Sequence, residues 1–318
     1  MDRRTFLEAT SLALIGFALE VGPSLAQGKP VTIAASLPAL SFPFFVHMQK
    51  QIESEAQKLG NVKLIETDGQ NSVPKQTGDV EAAVTQKVDA IVISPLEVNA
   101  MAPALQAAVD ASIPVVTIDR RVKDVNGILA HVGADNVAGG EAQGKAILAA
   151  FPNGARIFYL QGQPGAGPAI DRNKGLHNIL DKVKDKYKIV FEQTANFQRD
   201  QGLSVTEAGL AGLDQPPDVI VCANDDMALG ALEAVKARNL TNIKIFGFDA
   251  LPEALKQVKE GAMAGTVEQF PGEQSRIAMR IAVSFARDGK KPDQAVTLIT
   301  PIIIDKSNLD KAERLSEM

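Results

Sequence analysis

From Pro30 onward, short runs rich in β-branched residues alternate with longer stretches that carry apolar residues at helical spacing, and this order occurs twice along the chain. That is the pattern of a parallel sheet covered by helices on both faces. The first series of predicted strands is Val31 to Ala35, Lys63 to Glu66, Ala90 to Ser94, Val115 to Asp119 and Ile128 to Val132. The second is Arg156 to Gln161, Lys188 to Thr194, Val219 to Ala223, Lys244 to Asp249 and Met263 to Glu268. Between them lie predicted helices such as Phe44 to Leu59, where Phe44, Met48 and Ile52 follow at i+4 and Gly60 supplies the stop. The repetition predicts an α/β protein of two similar, doubly wound parallel-sheet lobes rather than a single large sheet. A length of 318 residues agrees, being too long for one ordinary core and sufficient for two domains of ~100 to 150 residues.

Composition excludes several classes. Apolar residues make up 45% and charged residues 22%, which fits neither wholesale disorder nor a multi-span membrane protein. The net charge of −5, with 33 Lys and Arg scattered along the chain, argues against a nucleic-acid surface. Three histidines, His47, His131 and His177, lie far apart without zinc-ligand spacing, so no metal is expected. The N-terminus reads as an address. Arg3 and Arg4 precede an uncharged stretch from Ala9 to Leu19 and then Ser24-Leu25-Ala26, the layout of a signal peptide cleaved after Ala26. Arg3-Arg4 with Phe6 and Leu7 resembles the twin-arginine export motif, with Glu8 where that motif often has lysine; an ordinary Sec signal fits the same residues. No cysteine follows the stretch, so no lipid tether is expected, and the mature protein is read as a soluble monomer of a bacterial periplasm.

In open parallel sheets, ligands bind beyond the carboxyl ends of the strands. Those positions are unusually polar here: Asp119-Arg120 follows one predicted strand, Asn224-Asp225 another and Asp249 a third. A glycine-rich loop, Gly162 to Gly167, follows Arg156 to Leu160, with Arg172 one helical turn beyond. Some of these acids are expected merely to cap the next helix, Asp135 and Asp225 in particular. For catalysis there is little: no Gly-x-Ser-x-Gly elbow, no His-Glu-x-x-His and no Cys paired with a nearby His, while Cys222 lies in an apolar strand and reads as a core thiol. No enzyme and no cofactor are expected. The glycines do not have the dinucleotide spacing; close approach of a ligand accounts for them equally well, and a phosphate on the ligand stays open.

These tracts resemble the periplasmic sugar-binding proteins of ABC importers, in particular the ribose-binding group. The resemblance rests on Pro43-Phe44-Phe45, on Ile113 to Arg120, on Asn224 to Leu232, on Gly247-Phe248-Asp249 and on Glu268 to Pro271, in order over roughly Pro30 to Thr300. It implies that Phe45 and Phe197 sandwich a sugar, with Phe42 and Phe44 beside them. Asp119, Arg120, Arg172, Asn224, Asp249 and Gln269 would form the polar ring. The chemistry is sound in itself, because a sugar presents apolar C–H faces to aromatic rings and a rim of hydroxyls to fixed donors and acceptors. One departure stands out: Phe42 occupies the position of an asparagine in the ribose binders, so the ligand is expected to differ from ribose on that side, unless Phe42 packs into its own lobe. The family's chain crosses between lobes three times, which implies a first lobe of residues 29–134 plus 270–298 and a second of 135–269 plus 299–318, joined by a three-stranded hinge. The implied function is capture of a pentose or related sugar or polyol by clamshell closure. Delivery is to an ABC permease, and indirectly its ATPase, with a ligand-presenting role toward a chemoreceptor or kinase, or binding of a sugar phosphate, as alternatives. Regulators of the lactose-repressor type share the architecture but need an N-terminal DNA-binding unit where this chain has its export signal.

Overall fold

The computed structural model describes residues 28–318; the signal-peptide and twin-arginine readings of residues 1–26 lie outside the described residues. The first unit runs β1 (Val31–Leu37), α1 (Pro43–Leu59), β2 (Val62–Asp68), α2 (Val73–Thr85), β3 (Ala90–Ile93), α3 (Ala102–Asp110), β4 (Val115–Ile118) and β5 (Ala130–Ala134). The second continues with α4 (Asn136–Ala150), β6 (Ala155–Gln161), α5 (Gly167–Leu180), β7 (Tyr187–Thr194), α6 (Arg199–Gly212), β8 (Val219–Cys222) and α7 (Asp225–Ala237). It ends with β9 (Lys244–Phe246), α8 (Pro252–Glu260) and β10 (Thr266–Glu268), after which come α9 (Pro271–Asp288), β11 (Val296–Ile299) and β12 (Ile302–Ile304). One sheet has the order β11-β5-β4-β3-β1-β2 and a second the order β7-β6-β8-β9, every pairing in both being parallel. β10 and β12 form a short antiparallel pair beside the second sheet, joined to it by a bridge from Phe246 to Gly265.

The sequence explains why these strands lie at the centre. In β3, β4 and β8 every residue is buried, as expected where helices cover both faces and no side chain meets water. Cys222 is one of those buried residues, with its thiol pushed well up by burial, in keeping with a core role. Helix α1 starts at Pro43, which needs no N–H there, and buries Phe44, Met48 and Ile52 on one stripe. Burying each such side chain contributes ~1.5–3 kcal/mol, and Ile52→Ala would cost ~2–5 kcal/mol.

Where the chain passes between sheets, the structure departs from the strand limits read in the sequence. β9 stops at Phe246, not Asp249, because Asp249 and Ala250 turn into left-handed backbone, φ 109° and 49°. β10 begins at Thr266 rather than Met263, and β5 covers Ala130–Ala134 rather than Ile128 to Val132. β11 and β12 were not among the predicted strands: β11 pairs with β5 as far as Ile299 opposite Ala134, one residue past the expected limit of 298, and β12 then joins β10. The chain thus passes between the sheets three times, at Asp135, at Gln269-Phe270 and at Thr300-Pro301.

Candidate functional site

The carboxyl ends of both sheets open on one cleft. Asp119 and Arg120 follow β4, Asn224 follows β8, Gln269 follows β10, and Asp249 stands in the loop after β9. Asp119, Phe197 and Asp249 all have left-handed backbone, with φ of 56°, 62° and 109°. For residues with a Cβ this costs on the order of 1–3 kcal/mol and persists only where the surroundings enforce it. Here it turns side chains at strand ends toward a common space. That space is a cavity lined by all ten residues singled out in the sequence, together with Pro168 and Asp226.

On the first unit's side, Phe42, Phe44 and Phe45 form an aromatic corner. Phe44 and Phe42 meet Phe45 edge to face, with centroids 5.2 and 6.3 Å away. Phe42 is half-buried, lining the cavity and also packing on the core. It is the N-cap residue of α1 yet has no side chain able to cap it. Beside this corner Ser94 donates to Asp119 Oδ2 at 3.2 Å, and the Arg120 Nε lies 3.8 Å from the same oxygen. The Arg120 guanidinium carbon lies 5.4 Å from the Phe45 centroid and 5.9 Å from that of Phe197, bridging the two rings proposed to grip the ligand.

The second unit's side is a tied polar network. Arg172 Nε donates to Asn136 Oδ1 at 2.8 Å, its Nη1 to the Ala223 carbonyl at 2.6 Å, and its Nη2 lies 3.4 Å from Asp249 Oδ1. Its guanidinium lies 3.6 Å above the Phe248 ring. Helix α5 reaches this position because Gly140 and Gly175 let it press against α4; a Cβ on Gly175 would stand 2.1 Å from the Val137 carbonyl oxygen. Gln269 donates to Asp249 Oδ1 at 2.6 Å, and Asn224 donates to the Phe197 carbonyl at 3.1 Å. Gly162, attributed in the sequence to close approach of a ligand, instead makes room for the Phe197 ring, whose nearest carbon would be 2.1 Å from an added Cβ.

Capping divides differently from expectation. Asp135 does cap α4, accepting from the Ala138 N–H at 2.9 Å. Asp225 does not cap α7: Asn224 does, accepting from Met227 N–H at 3.0 Å. Asp225 is turned inward by one helical step, accepting from Thr266 Oγ1 at 2.7 Å and Leu251 N–H at 2.8 Å. Further contributors were missed in the sequence. Asp226 lines the cavity, and the fully buried Arg314 donates to the Asp249 carbonyl from behind.

Burial dominates the electrostatics. It pushes Asp249 up to about 6 although Arg172 and Arg314 pull the other way, and it lifts Asp226 to about 7 with help from the Asp249 charge. Burial also raises Asp119 and brings Arg120 down to about 10. The two units touch around the cleft: Val98 N–H donates to the Gly165 carbonyl at 3.1 Å, Gln163 to Asn71 Oδ1 at 3.0 Å, and Arg121 pairs with Asp171, one of its bonds being 2.9 Å. The arrangement is closed.

Two parallel α/β units shut over an aromatic corner and a ring of buried charges define a two-lobed solute-binding protein. The chain belongs to the periplasmic binding protein domain family, whose model matches residues 33–291. The ribose import binding protein RbsB of Bacillus subtilis is 38% identical over 271 residues, covering 85% of this chain and 86% of its relative. A crystal structure of the Caulobacter myo-inositol binding protein bound to myo-inositol matches with a TM-score of 0.87 at 42% identity, over 92% of this chain and 98% of that one. A galactofuranose binding protein structure matches with a TM-score of 0.85 at 28% identity, over 91% of this chain and 99% of that one.

Proposed function

We propose that this is an extracytoplasmic solute-binding protein that captures a monosaccharide, or a polyol of similar size, between its two lobes and hands it to the permease of an ABC importer. The observation that carries this reading is the composition of the cavity: residues from both units supply aromatic rings, two guanidinium groups and carboxylates around one enclosed space. Phe45 and Phe197 take the apolar faces of the ring. Asp119, Arg120, Arg172, Asn224, Asp249 and Gln269 take its hydroxyls, each bond to a charged group contributing ~1.5–3 kcal/mol. The likeness to the ribose and myo-inositol binding proteins supports this ligand class.

In this reading the lobes are residues 29–134 with 270–299, and 135–269 with 300–318, and a ligand bridging them favours the closed form by its differential affinity. Membership of the periplasmic binding protein family and the likeness to an import binding protein support a role in binding and not catalysis. The proposed location is the periplasm, reached through the export signal read at residues 1–26; the support for a twin-arginine route is Arg3-Arg4 followed by Phe6 and Leu7. Thermal-shift screening of the mature protein against pentoses, hexoses and cyclic polyols tests the proposal. At a hundred times its dissociation constant, a true ligand stabilises the native state by ~2.7 kcal/mol and raises the melting temperature by several degrees. If no member of the library does so, the reading fails.

A further inference from the structure

Three consecutive polar side chains open helix α7, and they are used differently. Asn224 accepts from Met227 and donates to the Phe197 carbonyl. Asp225 has both oxygens occupied, by Thr266 and by the Leu251 N–H. Asp226 lines the cavity, is only 8% exposed, and its Oδ2 is buried with no hydrogen-bond partner among the described residues. A carboxylate in a first helical turn is favoured by the helix dipole, but an exposed acid would serve that purpose equally. Holding it instead in the cleft beside Asp249, with an unpaired oxygen, costs free energy that a hydrogen-bond donor would offset.

Two other buried atoms of cavity-lining residues share this property: the Gln269 Oε1 and the Arg120 Nε have no partner among the described residues. The closed cleft therefore offers two unused acceptors on the second lobe and one unused donor on the first. An ionised carboxylate only accepts, so a group that meets the ionised form of Asp226 must donate. Opposite, Phe42 contributes an aromatic edge and nothing polar.

Resting on the reading of the cleft as a sugar or polyol site, we infer that Asp226 is a specificity-determining ligand contact, whose carboxylate receives the hydrogen of one ligand hydroxyl on the second lobe's side. A ligand suited to this cleft has its donating hydroxyls gathered toward Asp226 and Gln269, and an oxygen that accepts from Arg120. Molecules with an ether oxygen or a bare carbon at the Asp226 position are discriminated against.

The test is a cycle between protein and ligand. Wild type and Asp226→Asn are titrated calorimetrically with D-ribose, D-allose and myo-inositol, and then with the monodeoxy derivatives of whichever binds. Asp226→Asn is expected to lose about 10- to 100-fold in affinity for the parent ligand. One monodeoxy derivative is expected to bind wild type about as weakly as the variant binds the parent, with little further loss when the two changes are combined. Independent losses at every hydroxyl, or an unchanged affinity in the variant, overturn the assignment of Asp226. Should wild type bind none of these ligands or the wider library, the sugar reading falls, and this inference with it. A crystal structure of the wild-type complex provides the measurement that needs no variant: an Asp226 oxygen within about 3.2 Å of a ligand hydroxyl is expected, and a separation beyond hydrogen-bonding distance refutes the contact.

Discussion

The first lobe lines the cleft with three phenylalanines and one ion pair, Asp119 with Arg120, whereas the second lines it with Arg172, Asn224, Asp226, Asp249 and Gln269 around a single ring, Phe197. Both walls gather at the carboxyl ends of parallel sheets, yet only the second is a continuous network, in which Arg172, Asn136, Asp249 and Gln269 hold one another and Arg314 holds the Asp249 backbone. A common topology thus yields one wall suited to packing and another suited to fixed hydrogen bonds. The difference implies that the second lobe has its polar geometry set before a ligand arrives, and that the first contributes chiefly a face to close upon.

The sharpest way to break that contrast is to remove one arginine from each wall. Arg172→Ala strips the partner from buried Asp249 and the stacking group from Phe248, so it is expected to abolish measurable sugar binding and to destabilise the protein by ~3–5 kcal/mol. Chemical denaturation together with calorimetry reads both effects. Arg120→Ala is expected to abolish ligand-induced closure, seen as loss of compaction in small-angle scattering, with a smaller loss of stability. Its own anchor is the Leu96 carbonyl at 2.9 Å, while Asp119 keeps the Ser94 hydroxyl. Equal stability losses in the two variants would mean that the walls do not differ in rigidity, and persistent closure in Arg120→Ala would remove its bridging role.

Phe42→Asn sharpens the comparison from the apolar side, because the same substitution acts on the helix and on the cleft. As the N-cap of α1, an asparagine can accept from the backbone N–H groups that Phe42 leaves unserved, which stabilises the protein by ~1 kcal/mol. In the cleft it adds a donor and an acceptor, and the ranking of pentoses against cyclic polyols should shift by about tenfold toward ligands with a hydroxyl on that side. A higher melting temperature with an unchanged ranking would show that Phe42 matters to the helix alone.

Much of this was legible from the order of the residues. β-Branched runs announced the buried strands, and polar residues directly after them announced the cleft, since a parallel sheet presents those positions together. What escaped was a matter of rotation and distance. Asp225 and Asp226 are neighbours in the same helical turn, and about 100° of rotation per residue sends one into the core and the other into the cavity; nothing in the string Asn224-Asp225-Asp226 sets that phase. Arg314 reaches Asp249 from 65 residues away, beyond any local pattern. The apolar run from Val296 to Ile304 is split between two sheets at Thr300-Pro301, a change that depends on which strands lie alongside and not on the run itself.

The smallest expected effect concerns protons, and it discriminates the walls without any mutation. Asp226 stands near 7 and Asp249 near 6 in the closed cleft, so both hold protons at pH values where an ordinary carboxylate has lost them. Asp226 faces Asp249 and Glu253, which raise it further, and Arg199 and Arg314, which lower it. A hydroxyl that donates to the ionised form pulls these values down on binding, so the complex carries fewer protons than the free protein. Affinity must then rise as pH increases through the free-state values, by roughly three- to tenfold between pH 6 and 8, with proton release to the buffer. On the first lobe Arg120 stays charged across this range, its value of about 10 lying well above it. Calorimetry in two buffers of different ionisation enthalpy measures the release directly. Proton release that disappears in Asp226→Asn would place the titrating group on the second wall, whereas uptake of protons, or none in the wild type, would mean that the ligand does not donate to these carboxylates.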